Sequence, residues 1–158
     1  MGSCLSDIYR GIYEENFSYE NFECRLKLQS AIYLMEAMGI NVGNYSFSWS
    51  NLGPCSVNLD IEAIRADHAG ISDDNNQQFS ETAKNCMEKL HQIAFQADKN
   101  NRCEWMLRIS SLHYLYKVFD YDGTQVIVEL ERRIPYLSDQ QENGRAFEIA
   151  QSISPFCE

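Results

Sequence analysis

Four side chains are the first candidates for chemistry: Cys86, His91, Cys103 and His113. Together they offer the ligand types of a zinc site, or the thiol and imidazole of a nucleophilic pair. Their spacings match no compact metal motif, and Cys86 falls on an apolar helical stripe. Cys55, placed directly after a Gly-Pro turn, is a second candidate nucleophile, but no local pattern supplies the base and activated thiolate that such chemistry needs. Asp120-Tyr121-Asp122-Gly123 has the opening of a calcium loop and lacks the remaining oxygen ligands, so it reads as a turn. No CxxC, GxGxxG or GxxxxGK[ST] pattern occurs. From the residues alone, no catalytic, metal or cofactor set is expected.

The other notable run is aromatic. In Asn44-Tyr45-Ser46-Phe47-Ser48-Trp49-Ser50 large rings alternate with serines, and a period of two places Tyr45, Phe47 and Trp49 on one side of a strand. The simpler reading sends Phe47 and Trp49 into the core, beneath a helix face made by Leu28, Ile32 and Met35, with Ser46, Ser48 and Ser50 facing away together. The functional reading puts one or two of the rings at an interface, where Trp and Tyr dominate binding energy.

The elements that would position these residues are mostly helical. A short N-terminal segment over 1–18 carries Ile8, Ile12 and Tyr13 and ends near Asn16. Ser18 is the expected N-cap of a helix running to Met38, whose buried face is Cys24, Leu28, Ala31, Ile32, Met35 and Met38, with Gly39 as its left-handed stop. Leu52-Gly53-Pro54-Cys55 is a turn, and Ser56 caps a second helix with Val57, Ile61 and Ile64 on its apolar side. A polar connector, His68 to Gln78, follows. A third helix to about Lys99 buries Phe79, Ala83, Cys86, Leu90, Ile93 and Ala97. A fourth, Arg102 to Phe119, buries Trp105, Ile109, Leu112, Leu115, Tyr116 and Phe119. Thr124–Arg132 is open between strand, favoured by Val126-Ile127-Val128, and helix, favoured by its tail. Ser138 and Gln141 read as the capping box of a last helix with Ala146, Phe147, Ala150 and Ile153. The strand needs a partner, either Ile40-Asn41-Val42 or Gln125–Glu129.

The 158 residues fit one domain. Hydrophobic residues make up 44% and charged residues 23%, which allows a full core. With 13 Lys+Arg against 23 Asp+Glu the net charge is −10. Such a surface disfavours nucleic acid and anionic lipid and favours a basic protein partner. No signal-like or membrane-length apolar run is present, and the cytoplasm is the expected compartment. The six cysteines, including Cys4, Cys24 and Cys157, read mostly as small buried hydrophobes.

Three segments carry a family resemblance: Cys24-Arg25-Leu26-Lys27-Leu28-Gln29-Ser30-Ala31-Ile32-Tyr33-Leu34, then Tyr45 to Trp49, then Leu52-Gly53-Pro54-Cys55-Ser56. In order and type they resemble the YwgA-like proteins and the wider, SocA-like Panacea antitoxin group. Trp105 to Leu115 and Arg132-Arg133-Ile134-Pro135 through Ala146 are similar to that family's later segments. The likeness covers roughly 20–153. It implies a mainly α, compact multi-helix single domain with a small β element and a winged-helix-like order in its N-terminal half. It implies a non-enzymatic, cytoplasmic, bacterial or phage protein-binding module of the antitoxin or phage-defence type, with no catalytic residue and no cofactor. The matched positions are Lys27, Leu28, Gln29, Tyr33, Phe47, Trp49, Gly53, Pro54 and Ser56. Lys27 and Gln29 are expected to tie down the backbone of the turn. A winged-helix nucleic-acid-binding regulator and a small Cys/His hydrolase are the alternatives.

Overall fold

The computed structural model describes residues 2–69 and 79–155. Most of the expected His68–Gln78 connector and Cys157 lie outside them. Among the described residues the order is α1 (Gly2–Tyr13), α2 (Phe22–Ala37), β1 (Ser48–Ser50), β2 (Gly53–Cys55), α3 (Val57–Ala69), α4 (Glu81–Ala94), α5 (Arg102–Lys117), α6 (Val126–Arg133) and α7 (Gln140–Ser152). The protein is therefore mainly helical with a small two-stranded antiparallel sheet, as the sequence led us to expect.

Two helices form the middle of the molecule. α5 packs against α2, α4, α6, α7 and β2, while α2 also meets α1, α3 and α4. The expected face of α2 is buried in full: Cys24, Leu28, Ala31, Ile32, Met35 and Met38. So are its other sides, since Lys27, Gln29, Ser30, Tyr33 and Leu34 are buried too. A helix covered all round sits inside its bundle rather than on it. Gly39, at φ +90°, turns the chain out of it.

Several boundaries move. Asn21, not Ser18, caps α2 by accepting the Cys24 N–H at 3.2 Å. α7 is capped by Asp139, which accepts from Glu142 N–H at 3.2 Å, one residue later than the expected Ser138. In both cases a capping side chain as good as serine stands closer to the first turn. α4 stops at Ala94 because Arg102 folds back, donating from Nε to Ala94 O at 3.1 Å and from Nη2 to Ala97 O at 3.0 Å. In α3 the buried side is Leu59, Ala63 and Ala66, not the expected Val57, Ile61 and Ile64. The two alanines let α3 lie close to α1, and Val57 is left 76% exposed.

The open choice at Thr124–Arg132 resolves as helix. Asp122 Oδ1 accepts from the Thr124 and Gln125 N–H groups at 2.9 and 3.0 Å, starting α6. Val126 and Leu130, four apart, are buried while Val128 is exposed, so burial follows a helical period and overrides β propensity. The partner of β1 is neither expected segment. It is β2, paired as Ser48↔Cys55, Trp49↔Pro54 and Ser50↔Gly53, so of the expected turn only Leu52 turns, with Asn51, and Gly53-Pro54-Cys55 is itself a strand. Gly53 has φ +84°, and a Cβ there would lie 2.3 Å from Ser111 Oγ, so both conformation and space call for glycine.

Candidate interaction surface

Part of the set singled out by sequence, Gln29, Tyr33, Phe47, Trp49, Gly53, Pro54 and Ser56, lies where the hairpin packs against α2 and α5. Gln29, mid-helix and buried, spends its side-chain amide on one residue. Nε2 donates to Ser56 O at 3.0 Å, and Oε1 accepts the Ser56 N–H at 2.9 Å. Ser56 Oγ in turn accepts from Leu59 N–H at 3.3 Å and opens α3. Gln29 thus holds the backbone after the Gly53-Pro54 strand, as expected. Lys27 does not. Its ammonium pairs with Glu15 at 2.5 Å and lies over the Tyr9 and Tyr13 rings, 5.6 and 5.0 Å from their centroids. The side chain leaves α2 on the α1 side, away from the hairpin. Leu28 is core.

Tyr33 links α2 to α5 through a 2.8 Å hydrogen bond between its hydroxyl and His113 Nδ1. Burial, helped by Lys117, lowers the His113 pKa to about 4, so the imidazole is neutral near pH 7. Burial also raises the Tyr33 phenol above its ordinary value. The Tyr33 ring meets Phe47 edge-on at 5.3 Å.

The aromatic run alternates as expected at Tyr45, Phe47 and Trp49, which are half-buried, with Ser46 and Ser48 exposed. Only Ser48–Ser50 is strand. Ser50 departs from the pattern because its Oγ donates to Gly53 O at 2.8 Å and closes the hairpin. Phe47 and Trp49 sit at the edge of the core rather than inside it. Trp49 stacks on Tyr114 at 5.8 Å and Phe119 at 6.1 Å, at the C-terminal end of α5.

That end forms a shelf. Asp120, at φ +61°, turns the chain sharply after Phe119. Phe119 remains 40% exposed and Val118 55%. Arg133 from α6 lies over Phe119 and Trp49, its Cζ 5.0 and 5.5 Å from the ring centroids. It donates from Nε to Glu129 at 2.9 Å and from Nη2 to the Tyr121 hydroxyl at 3.2 Å. Hydrogen bonds from Arg132 and then Arg133 pull the Glu129 pKa down to about 2. Both members of the only adjacent basic pair are thereby engaged by one carboxylate. Tyr114, Phe119 and Arg133 join this surface without having stood out in the sequence as candidates. The i, i+3 and i, i+4 spacing of Glu129 with Arg132 and Arg133 was the available signal.

The Cys/His set disperses. Cys86 Sγ lies 3.3 Å from Met38 Sδ, and Cys103 Sγ points to Glu23 O at 3.8 Å. Burial pushes both thiols up to about 12. His91 Nδ1 meets Ile12 O at 2.8 Å and His113 is committed to Tyr33. Among the described residues no group of three or more His, Cys, Asp or Glu side chains is placed to hold a metal ion. Asp122 serves the turn before α6. No helix among the described residues is long and apolar enough to cross a membrane. Compared with family models, curated proteins and solved structures, the chain matches none.

Proposed function

We propose that this chain is a non-enzymatic protein-binding module of the antitoxin or phage-defence accessory type, acting in the cytoplasm by binding and regulating a partner protein. The observation that carries the reading is the Trp49–Phe119–Arg133 shelf with Val118 beside it. Aromatic and arginine side chains supply most hot-spot energy at interfaces. Here they are pre-positioned by the hairpin, the end of α5 and α6, which lowers the ordering cost of binding. The resemblance to the Panacea group supports the same reading. The net charge of −10 suits a partner with a basic rim around an apolar contact. Commitment of Arg132 and Arg133 to Glu129 favours a protein over a phosphate backbone. Thiols held protonated by burial at Cys86 and Cys103 are poor nucleophiles, which favours binding over catalysis.

Affinity capture from the native host, run in parallel with the wild-type chain and a Phe119→Asp variant, tests it. A protein that co-purifies in stoichiometric amount with the wild type and is lost with the folded variant is the expected result. An identical capture profile for the two chains would overturn the assignment of the shelf.

A further inference from the structure

β1 is an edge strand whose outer side is open. Among the described residues the sheet has two strands, and β2 is the only element packed extensively against β1. Opposite residues in an antiparallel pair alternate between those that exchange both main-chain bonds and those that exchange none. Pro54 has no N–H, so Trp49↔Pro54 is of the second kind, and the ladder bonds fall to Ser48↔Cys55 and Ser50↔Gly53. The main-chain N–H and C=O of Trp49 therefore point away from β2. No hydrogen bond among the described residues uses either group. Two residues earlier, the Phe47 carbonyl accepts from the Tyr114 hydroxyl at 3.5 Å, so the open stretch centres on Trp49 and adjoins the shelf.

A strand laid antiparallel along this edge places one residue opposite Trp49, where the two exchange both main-chain bonds. The side chain of that residue projects on the same face as the Trp49 ring. Tyr114 and Phe119 lie against that ring, and Phe119 is exposed. The flanking residues of the added strand project to the other face, beside Ser48 and Ser50. Positive side chains suit them, because the chain carries −10 and the Arg132 and Arg133 charges beside the shelf are both held by Glu129. A helical partner has its main-chain groups paired internally and leaves those of Trp49 unanswered. A second copy of this chain brings like charge to the same edge. β1 is three residues long, which keeps unrelated strands from pairing and leaves the choice to side chains.

We infer that the partner is held by strand addition: an extended protein segment pairs with β1, an apolar residue opposite Trp49 and basic residues on either side of it. This rests on the partner-binding reading and adds how the partner is gripped.

The test is a nuclear magnetic resonance titration of the full, isotope-labelled chain with acetyl-Thr-Lys-Leu-Lys-Thr-amide. Two control peptides accompany it, one N-methylated at the leucine and one with glutamate in place of both lysines. The parent peptide should shift the Trp49 amide and the Phe119 signals in a saturable way. N-methylation should weaken binding about tenfold or more, since it removes a main-chain donor and leaves the Trp49 carbonyl unpaired. The glutamate peptide should bind more weakly still. No shift at Trp49 with the parent peptide would overturn the inference, as would equal affinity of the N-methyl peptide. Sedimentation of the free chain as a dimer with a protected Trp49 amide would assign the edge to a second copy and also overturn it. The shelf itself is decided apart from this, by capture of whole partners with Phe119→Asp. An N-methyl peptide that binds as tightly and still shifts Phe119 rejects the edge and leaves the shelf standing.

Discussion

Trp49 shows how far the type of a residue and its placement can diverge. Alternation gave its side correctly, yet the ring lies on Tyr114 and Phe119 at the rim of the core and keeps part of its surface in water. A fully buried Trp→Ala costs about 3–5 kcal/mol. Partial burial scales that down, so Trp49→Ala should cost about 1–3 kcal/mol and leave a cooperative fold. Ser48→Ala, exposed on the opposite side, should cost under about 0.5 kcal/mol. Denaturant melts of both variants check this. A loss above about 4 kcal/mol at Trp49 would return the ring to the core. Gln29 is the contrasting case. A polar residue in the middle of an apolar helix advertised a buried partner, and it has one in Ser56.

At the level of elements, what was legible followed periodicity, and what was not followed tertiary choice. The faces of α2, α4 and α7 were readable because Leu28, Ile32 and Met35, or Cys86, Leu90 and Ile93, recur at helical spacing and are buried so. α3 was misread because alanine carries little hydrophobic weight in a sequence pattern, while in a bundle it permits the closest approach. The β1–β2 pairing was invisible because a Gly-Pro dipeptide marks a turn, and the close approach of Gly53 to Leu107 and Ser111 of α5 exists only in the folded chain. Of the candidate surface, Trp49 and Phe47 were readable, whereas Phe119 counted as one more buried position on a helix that in fact ends two residues earlier. The caps offer a direct check. Asp139→Ala should destabilise by about 0.5–2 kcal/mol, whereas Ser138→Ala should stay within about 0.5 kcal/mol. Equal thermal shifts for the two would move the cap back to Ser138.

For the whole molecule, the packing of α2 against α5 sets a pH dependence. An imidazole titrates near 6.5 in an unfolded chain, and burial holds His113 at about 4 in the folded one. Between those values the unfolded state binds more protons, so stability rises with pH from about 4 to about 6.5 and is fully present above that range. Thermal melts from pH 4 to pH 7.5 should show this slope in the wild type and a shallower one in His113→Gln. Parallel curves would assign the slope to other groups. The same packing has a mechanical side. α2 is gripped on every side by contacts that differ in kind: an ammonium over two tyrosines, an amide on Ser56, a Ser30–Ser110 hydroxyl contact at 3.2 Å, a phenol on His113. Rotating it by one residue would swing each polar group, by about 100°, into a neighbour that cannot answer it. The helix therefore behaves as an axle keyed to its housing, without play.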